Sequence, residues 1–163
     1  MTVLVPLTAA AYGPYREAAA AAYAEENVDS GRWPAEGALE RSQADFDSLL
    51  PRGVETPDNY LFEIKAEEHG PAIGYLHFAI EVKAGARSAF VYDLEIAPEF
   101  RRRGHATAAF RAMEPLAREL GAEAIGLHVF AQNVGAQALY RTLGYRVTGM
   151  NMVKPLSEEP ARE

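Results

Sequence analysis

At 163 residues, with 48% apolar side chains, the chain has the length of one ordinary domain and enough apolar surface to bury a core without metals or crosslinks. It contains no cysteine, which excludes disulfides, thiolate metal sites and a cysteine-linked acyl intermediate, and fits a reducing compartment. A formal charge of −7 argues against a general nucleic-acid or anionic-membrane surface, because both reward a basic face; it is compatible with cationic amines.

The apolar start, Val3 to Leu7, has no basic residue ahead of it, is interrupted by Pro6 and is too short to span a membrane, so it reads as a first strand of a cytoplasmic protein. Thr8 is placed to cap a helix running to about Asn27, and Gly31 and Pro34 end that region. A second helix over 35–50 sets Leu39, Phe46, Leu49 and Leu50 near one stripe, with Pro51 and Gly53 as stops. Three strand-like runs follow at 60–65, 72–82 and 89–97, separated by Gly70-Pro71 and Ala84-Gly85 as in an antiparallel meander. A helical pattern over 104–120 stops at Gly121. It leads to a strand at 124–130, a helix at 134–143 stopped by Gly144, and a last strand at 145–152. This order describes a mixed α/β or α+β domain over 1–156, layered about one sheet, followed by a polar tail at 157–163.

The most informative segment runs from Asp93 through Arg101-Arg102-Arg103-Gly104-His105-Ala106, a strand passing through a basic loop into a helix start. Unpaired N–H groups at a helix N-terminus carry partial positive charge, and small residues such as Gly104 and Ala106 let an anion approach the main chain. Three adjacent arginines add countercharge in an otherwise acidic chain, although three arginines alone would read as a solvated turn. No Walker-type lysine and no three-glycine dinucleotide fingerprint occurs in the loop, so neither a kinase nor a dehydrogenase follows.

Arg101 to Ala106 resembles the Gln/Arg-x-x-Gly-x-Gly/Ala signature of the GCN5-related N-acetyltransferase (GNAT) superfamily, set between strand and helix as that family requires. Leu127 to Asn133, followed by Ala138 to Tyr145, is similar to the family's second block, and 49–57 resembles a bacterial subgroup of uncharacterised substrate. The resemblance covers essentially the whole chain. It implies a central, mostly antiparallel sheet with splayed strands flanked by helices, acetyl-CoA as co-substrate, an amine acceptor, and a possible homodimer.

By the same resemblance, the backbone at Leu94 and Ile96 would pair with the pantetheine arm. The amides of Arg102, Arg103, Gly104, His105, Ala106 and Thr107 would hold the pyrophosphate, with Arg101 beside them. Asn133 matches an asparagine that reaches the pantetheine, and it also stands where an N-cap is expected. Tyr140 matches the tyrosine that faces the coenzyme A sulfur as general acid.

An acceptor amine of the lysine kind must lose a proton at neutral pH, at a cost of roughly 4 to 5 kcal/mol for a gap of ~3.4 pKa units. His128 aligns with a glutamate that serves as base in ribosomal-protein acetyltransferases of the family, and its residue type suits proton transfer near neutrality. Glu95 and Asp93 share one strand face and are placed to direct a water or bind the ammonium group; Glu95 ranks second as base. His77 is a weaker candidate. The expected reaction is direct attack of the amine on the thioester, assisted by Tyr140, with no metal, since the four histidines lack ligand spacing. The alternative class, a non-catalytic acyl-CoA sensor, is distinguished by absence of turnover.

Overall fold

A computed structural model describes residues 1–157, so apart from Ser157 the expected polar tail lies outside the described residues. The elements are β1 (Val3–Pro6), α1 (Ala9–Asp29), α2 (Ala38–Leu49), β2 (Asn59–Lys65), β3 (Ala72–Lys83), β4 (Ala86–Ile96), α3 (His105–Glu119), β5 (Ala124–Leu127) and α4 (Val134–Thr142). The five strands form one sheet in chain order; the first three pairings are antiparallel and β4 pairs β5 in parallel. A mixed, mostly antiparallel sheet between helices is the architecture the sequence predicts.

Strand alternation sorts the side chains into two cores. On one face Ile64, Leu76, Phe78 and Ile96 pack with Ala109, Phe110 and Met113 of α3, and Tyr140 and Leu143 of α4 close over that cluster. On the other, Leu61 and Tyr75 pack with Tyr15 of α1 and with Leu7 and Leu50. Small residues let α1 and α2 approach: Ser42 Oγ donates 2.7 Å to the Ala20 carbonyl, and both residues are fully buried. The stripe of α2 is therefore Ala38 and Ser42 with Phe46 and Leu49, while Leu39 points outward at 43% exposure. Thr8 caps α1 as expected, accepting from the Ala11 amide at 3.2 Å.

The chain departs from expectation at two places. β5 ends at Leu127, leaving His128 and Phe130 beyond it, and 145–152 forms no strand. Tyr145 still packs on the α3 side, but Val147, Met150 and Met152 stand 66%, 78% and 89% exposed. The alternation that suggested a strand breaks at Gly149, and a strand requires a partner edge that a local pattern cannot supply.

β4 leaves no room for a side chain at Gly74 on β3, where an added Cβ would lie 2.2 Å from the Glu95 carbonyl oxygen, a backbone atom that cannot swing aside. Gly74→Ala is expected to cost roughly 1 to 3 kcal/mol by overpacking. At about 2 to 4 °C per kcal/mol for a domain of this size, a thermal melt reads the loss directly.

Candidate active site

β5 covers only part of β4. Ser88 to Val91 pair with Ala124 to Leu127, whereas beyond the last of these pairs Asp93 to Ile96 have β3 as their only strand partner. The Ala97 amide donates to the Ile73 carbonyl on β3 at 2.8 Å. Because backbone groups alternate sides along a strand, those of Leu94 and Ile96 therefore point to the opposite, open edge. Their side chains meanwhile turn into the α3 core, Ile96 being buried and Leu94 partly so. At the open edge the Ile96 carbonyl accepts a bond from Arg101 Nε at 2.8 Å. The edge is interrupted by a bulge: Val91 faces Phe78 and Asp93 faces His77, so Tyr92 is the extra residue that redirects the strand.

The chain then passes through Arg101 to Arg103, all exposed, into α3. Gly104, the N-cap, has φ +83° and supplies no side-chain cap, so the amides of the first turn keep their free N–H groups; a Cβ at Gly104 would meet nothing within 4 Å. Arg102 is held at φ +61°, a left-handed conformation costly for a side chain-bearing residue. His105 opens the helix and is fixed by a 3.0 Å contact between Nδ1 and Thr2 Oγ1, which ties the cradle to the start of β1. Ala106 and Thr107 complete the first turn. Open, positively polarised amides with three guanidinium groups beside them fit an anionic pyrophosphate.

On α4, Tyr140 is half-buried, its ring 5.6 Å from that of Phe110 and 5.8 Å from that of Tyr145. Burial raises its phenol above the ordinary range, and the charges of Glu26, Asp93 and Glu95 raise it further, so it stays protonated and able to donate. Asn133 does cap α4, accepting from the Ala136 amide at 3.2 Å. It also lines a cavity of about 250 Å³ with Glu26, Asp29, Phe130 and Gln132.

The two bases singled out from sequence differ in circumstance. Glu95 is exposed and its Oε1 is engaged by Arg101 Nη2 at 2.5 Å. His128 is exposed just past β5, with its ring edge-on to Phe130 at 5.0 Å; partial burial and the Arg32 charge lower its pKa. His77 is closed off in the interior at 0% exposure. Its Nε2 lies 2.8 Å from the side-chain Oδ1 of Asn59, so the neutral ring carries its proton there, and among the described residues Nδ1 has no partner. Sequence reasoning missed the bond from the Tyr15 hydroxyl to Asp93 Oδ2 at 2.9 Å, which joins residues 78 positions apart.

The arrangement is that of an acyl-CoA-dependent transferase. The acetyltransferase (GNAT) family model matches residues 20–145. The chain is 36% identical over 157 residues to the N-acetyltransferase YycN of Bacillus subtilis, covering 96% of this chain and 100% of that one. The solved structure of YycN superposes with a TM-score of 0.91 over 97% of this chain. A second B. subtilis N-acetyltransferase, YdgE, is 34% identical over 82% of this chain and 85% of its own. At 16% identity, and so for the fold alone, the chain also superposes on AAC(6')-Iy in complex with a coenzyme A bisubstrate analogue, with a TM-score of 0.60. The protein belongs to the GNAT family and is an N-acetyltransferase, with acetyl-CoA as the co-substrate its family uses. Among the described residues no helix is long and apolar enough to cross a membrane.

Burial lowers His77 from 6.5 to about 4. The unfolded chain then binds more protons than the folded one between those values, so its contribution falls as pH drops through that window, by about 3 kcal/mol between pH 7 and pH 4. Asp93, raised from 3.8 to about 7, acts in the opposite sense over much of the same range. His77→Gln removes the first effect alone. Its stability relative to wild type should therefore rise by about 3 kcal/mol from pH 7 to pH 4, measured by urea unfolding at each pH.

Proposed function

We propose that this chain transfers the acetyl group of acetyl-CoA to a primary amine by direct attack within a ternary complex. The observation that carries this reading is the continuity of three features. The unpaired edge of β4 at Leu94 and Ile96 runs into the open first turn of α3, and Tyr140 lies within electrostatic reach of the carboxylates on β4. The edge suits the amide-bearing pantetheine arm, which can hydrogen-bond as an added strand would. The amides of residues 102–107, with Arg101 to Arg103, suit the pyrophosphate. The Asn133 oxygen caps α4, and among the described residues no hydrogen bond reaches its amide nitrogen, which suits a donor to the arm.

An amine acceptor is supported by the sign of the surrounding charge. Glu26 and Asp29 line the neighbouring cavity, and Asp93 and Glu95 project from β4. A cationic ammonium group entering there meets carboxylates, whereas the anionic end of acetyl-CoA meets arginines and amides. The nitrogen lone pair attacks the thioester carbonyl, and the C–S bond breaks as the carbonyl reforms. Tyr140, kept protonated, donates to the departing sulfur.

The chain has no cysteine, so a thiol reagent detects released coenzyme A without background from the enzyme. Calorimetry with acetyl-CoA is expected to give saturable binding that Gly104→Glu abolishes, because a carboxylate would enter the phosphate cradle. Absence of binding by the wild type would refute the reading. Tyr140→Phe should lower kcat about 100-fold while leaving acetyl-CoA affinity nearly unchanged, the split expected of a general acid; an equal kcat would remove that role.

A further inference from the structure

We infer that Asp93 is the base that takes the proton from the acceptor ammonium, held in place for that role by the hydroxyl of Tyr15. The inference rests on the amine-transfer reading above and assigns the one step in it that lacks a residue.

Asp93 leaves β4 at the bulge, on the face toward α1, opposite His77. Its Oδ2 accepts the Tyr15 bond at 2.9 Å. Tyr15 is itself immobilised at 3% exposure, with the ring of Tyr75 at 5.1 Å and that of Tyr12 at 6.4 Å. The carboxyl is thus anchored through one oxygen, and among the described residues no hydrogen bond reaches the other, Oδ1. A fixed carboxylate with one uncommitted oxygen is the geometry a general base requires.

The rivals are otherwise occupied. Glu95 is exposed and its charge is already paired with the Arg101 guanidinium, where Asp93 is held by a neutral hydroxyl; His128 stands exposed past the end of β5, and His77 is enclosed with its Nε2 on Asn59 Oδ1. The groups facing Asp93 are Tyr15 and Glu26 from α1, His77 from β3, Glu95 from β4 and Tyr140 from α4, while Tyr12 and Tyr75 lie against the Tyr15 ring. Burial and the charges of Glu95 and Glu26 push the carboxyl up to about 7, against the lowering effect of the Tyr15 bond. The carboxyl is thereby moved from the ordinary aspartate range toward neutrality, the direction that suits a base working there.

The step balances without another reactant. One ammonium proton passes to Oδ1 and on to solvent. The freed nitrogen bonds to the thioester carbon while the carbonyl π pair moves onto oxygen. When that pair returns, the C–S bond breaks, Tyr140 protonates the sulfur, and the second nitrogen proton replaces the one Tyr140 gave. Ammonium and acetyl-CoA thus give amide, coenzyme A and one proton.

The test is a pH–rate profile of acetyl transfer from acetyl-CoA to two probes, a blocked lysine amide and spermidine. In Asp93→Asn the amide keeps the size of the carboxyl and still accepts the Tyr15 bond. kcat/KM should fall about 100-fold or more, and the limb near pH 7 should vanish, with melting temperature and acetyl-CoA affinity retained. Tyr15→Phe removes a bond that favours the ionised form, so the limb should move to higher pH, which loss of packing alone would not do. A folded Asp93→Asn enzyme with the wild-type limb and rate overturns the assignment, as does loss of the limb in Glu95→Gln or His128→Gln instead. Should Asp93→Asn fail to fold, an unshifted limb in Tyr15→Phe overturns it. A wild type that binds acetyl-CoA and acetylates neither probe counts against amine transfer itself, a separate and recognisable failure.

Discussion

The unpaired edge of β4 is the constraint on which the rest of the molecule depends. Backbone N–H and C=O groups removed from water require partners, and a strand in the interior of a sheet normally finds them on both sides. Here β5 stops at Leu127, opposite Val91, and β4 runs five residues further with β3 as its only strand partner. Arg101 engages one of the exposed carbonyls, that of Ile96, from the loop immediately downstream. The loop cannot lie elsewhere, since only four residues separate Ile96 from Arg101. The edge and the open turn of α3 are therefore contiguous by covalent connection, and a single extended, amide-bearing anion can use both.

Strand alternation then divides the charge. Leu94 and Ile96 send their side chains toward α3, while Asp93 and Glu95 send theirs toward α1. One short stretch of β4 thereby presents neutral backbone at its edge and carboxylates on its far face, the division that the proposed reading assigns to cofactor arm and acceptor. The net charge of −7 conceals this polarity, because the three adjacent arginines sit at the cradle and acidic residues gather around Tyr140. In the proposed reading, electrostatic sorting of two substrates of opposite sign would follow from the order of residues on one strand and the loop after it.

Local signals made the helices, and the basic loop that leads into the open start of α3, legible in the sequence. Thr8, Gly104 and Asn133 act at helix starts as their residue types predict, and Gly121 and Gly144 adopt left-handed conformations just past helix ends. Features that depend on distant partners were not legible. The extent of β5 is decided by where β4 bends away, so periodicity carried the expected strand on through His128 to Phe130. The apolar residues of 145–152 promised a strand that the described structure does not form. Tyr15 and Asp93 give no sequence sign of each other: a buried aromatic on a helix and a carboxylate on a strand become a pair only through the α1–sheet packing.

The bulge at Tyr92 links stability to chemistry. By adding one residue to β4 it sets Asp93 across from His77 and lets the Tyr92 ring stack 5.2 Å from the imidazole, 23° from parallel. His77 is thereby denied water and kept neutral, while Asp93 is held among other carboxylates and resists ionisation. Both residues cost the folded state free energy, in opposite pH ranges, and neither cost is recovered within the protein alone. An ammonium group arriving beside Asp93 would supply the missing opposite charge and favour the ionised carboxylate that must accept its proton. On the proposed assignment the disfavoured carboxylate at the bulge would discriminate for cations, since a neutral molecule in the same place leaves its energetic deficit uncorrected.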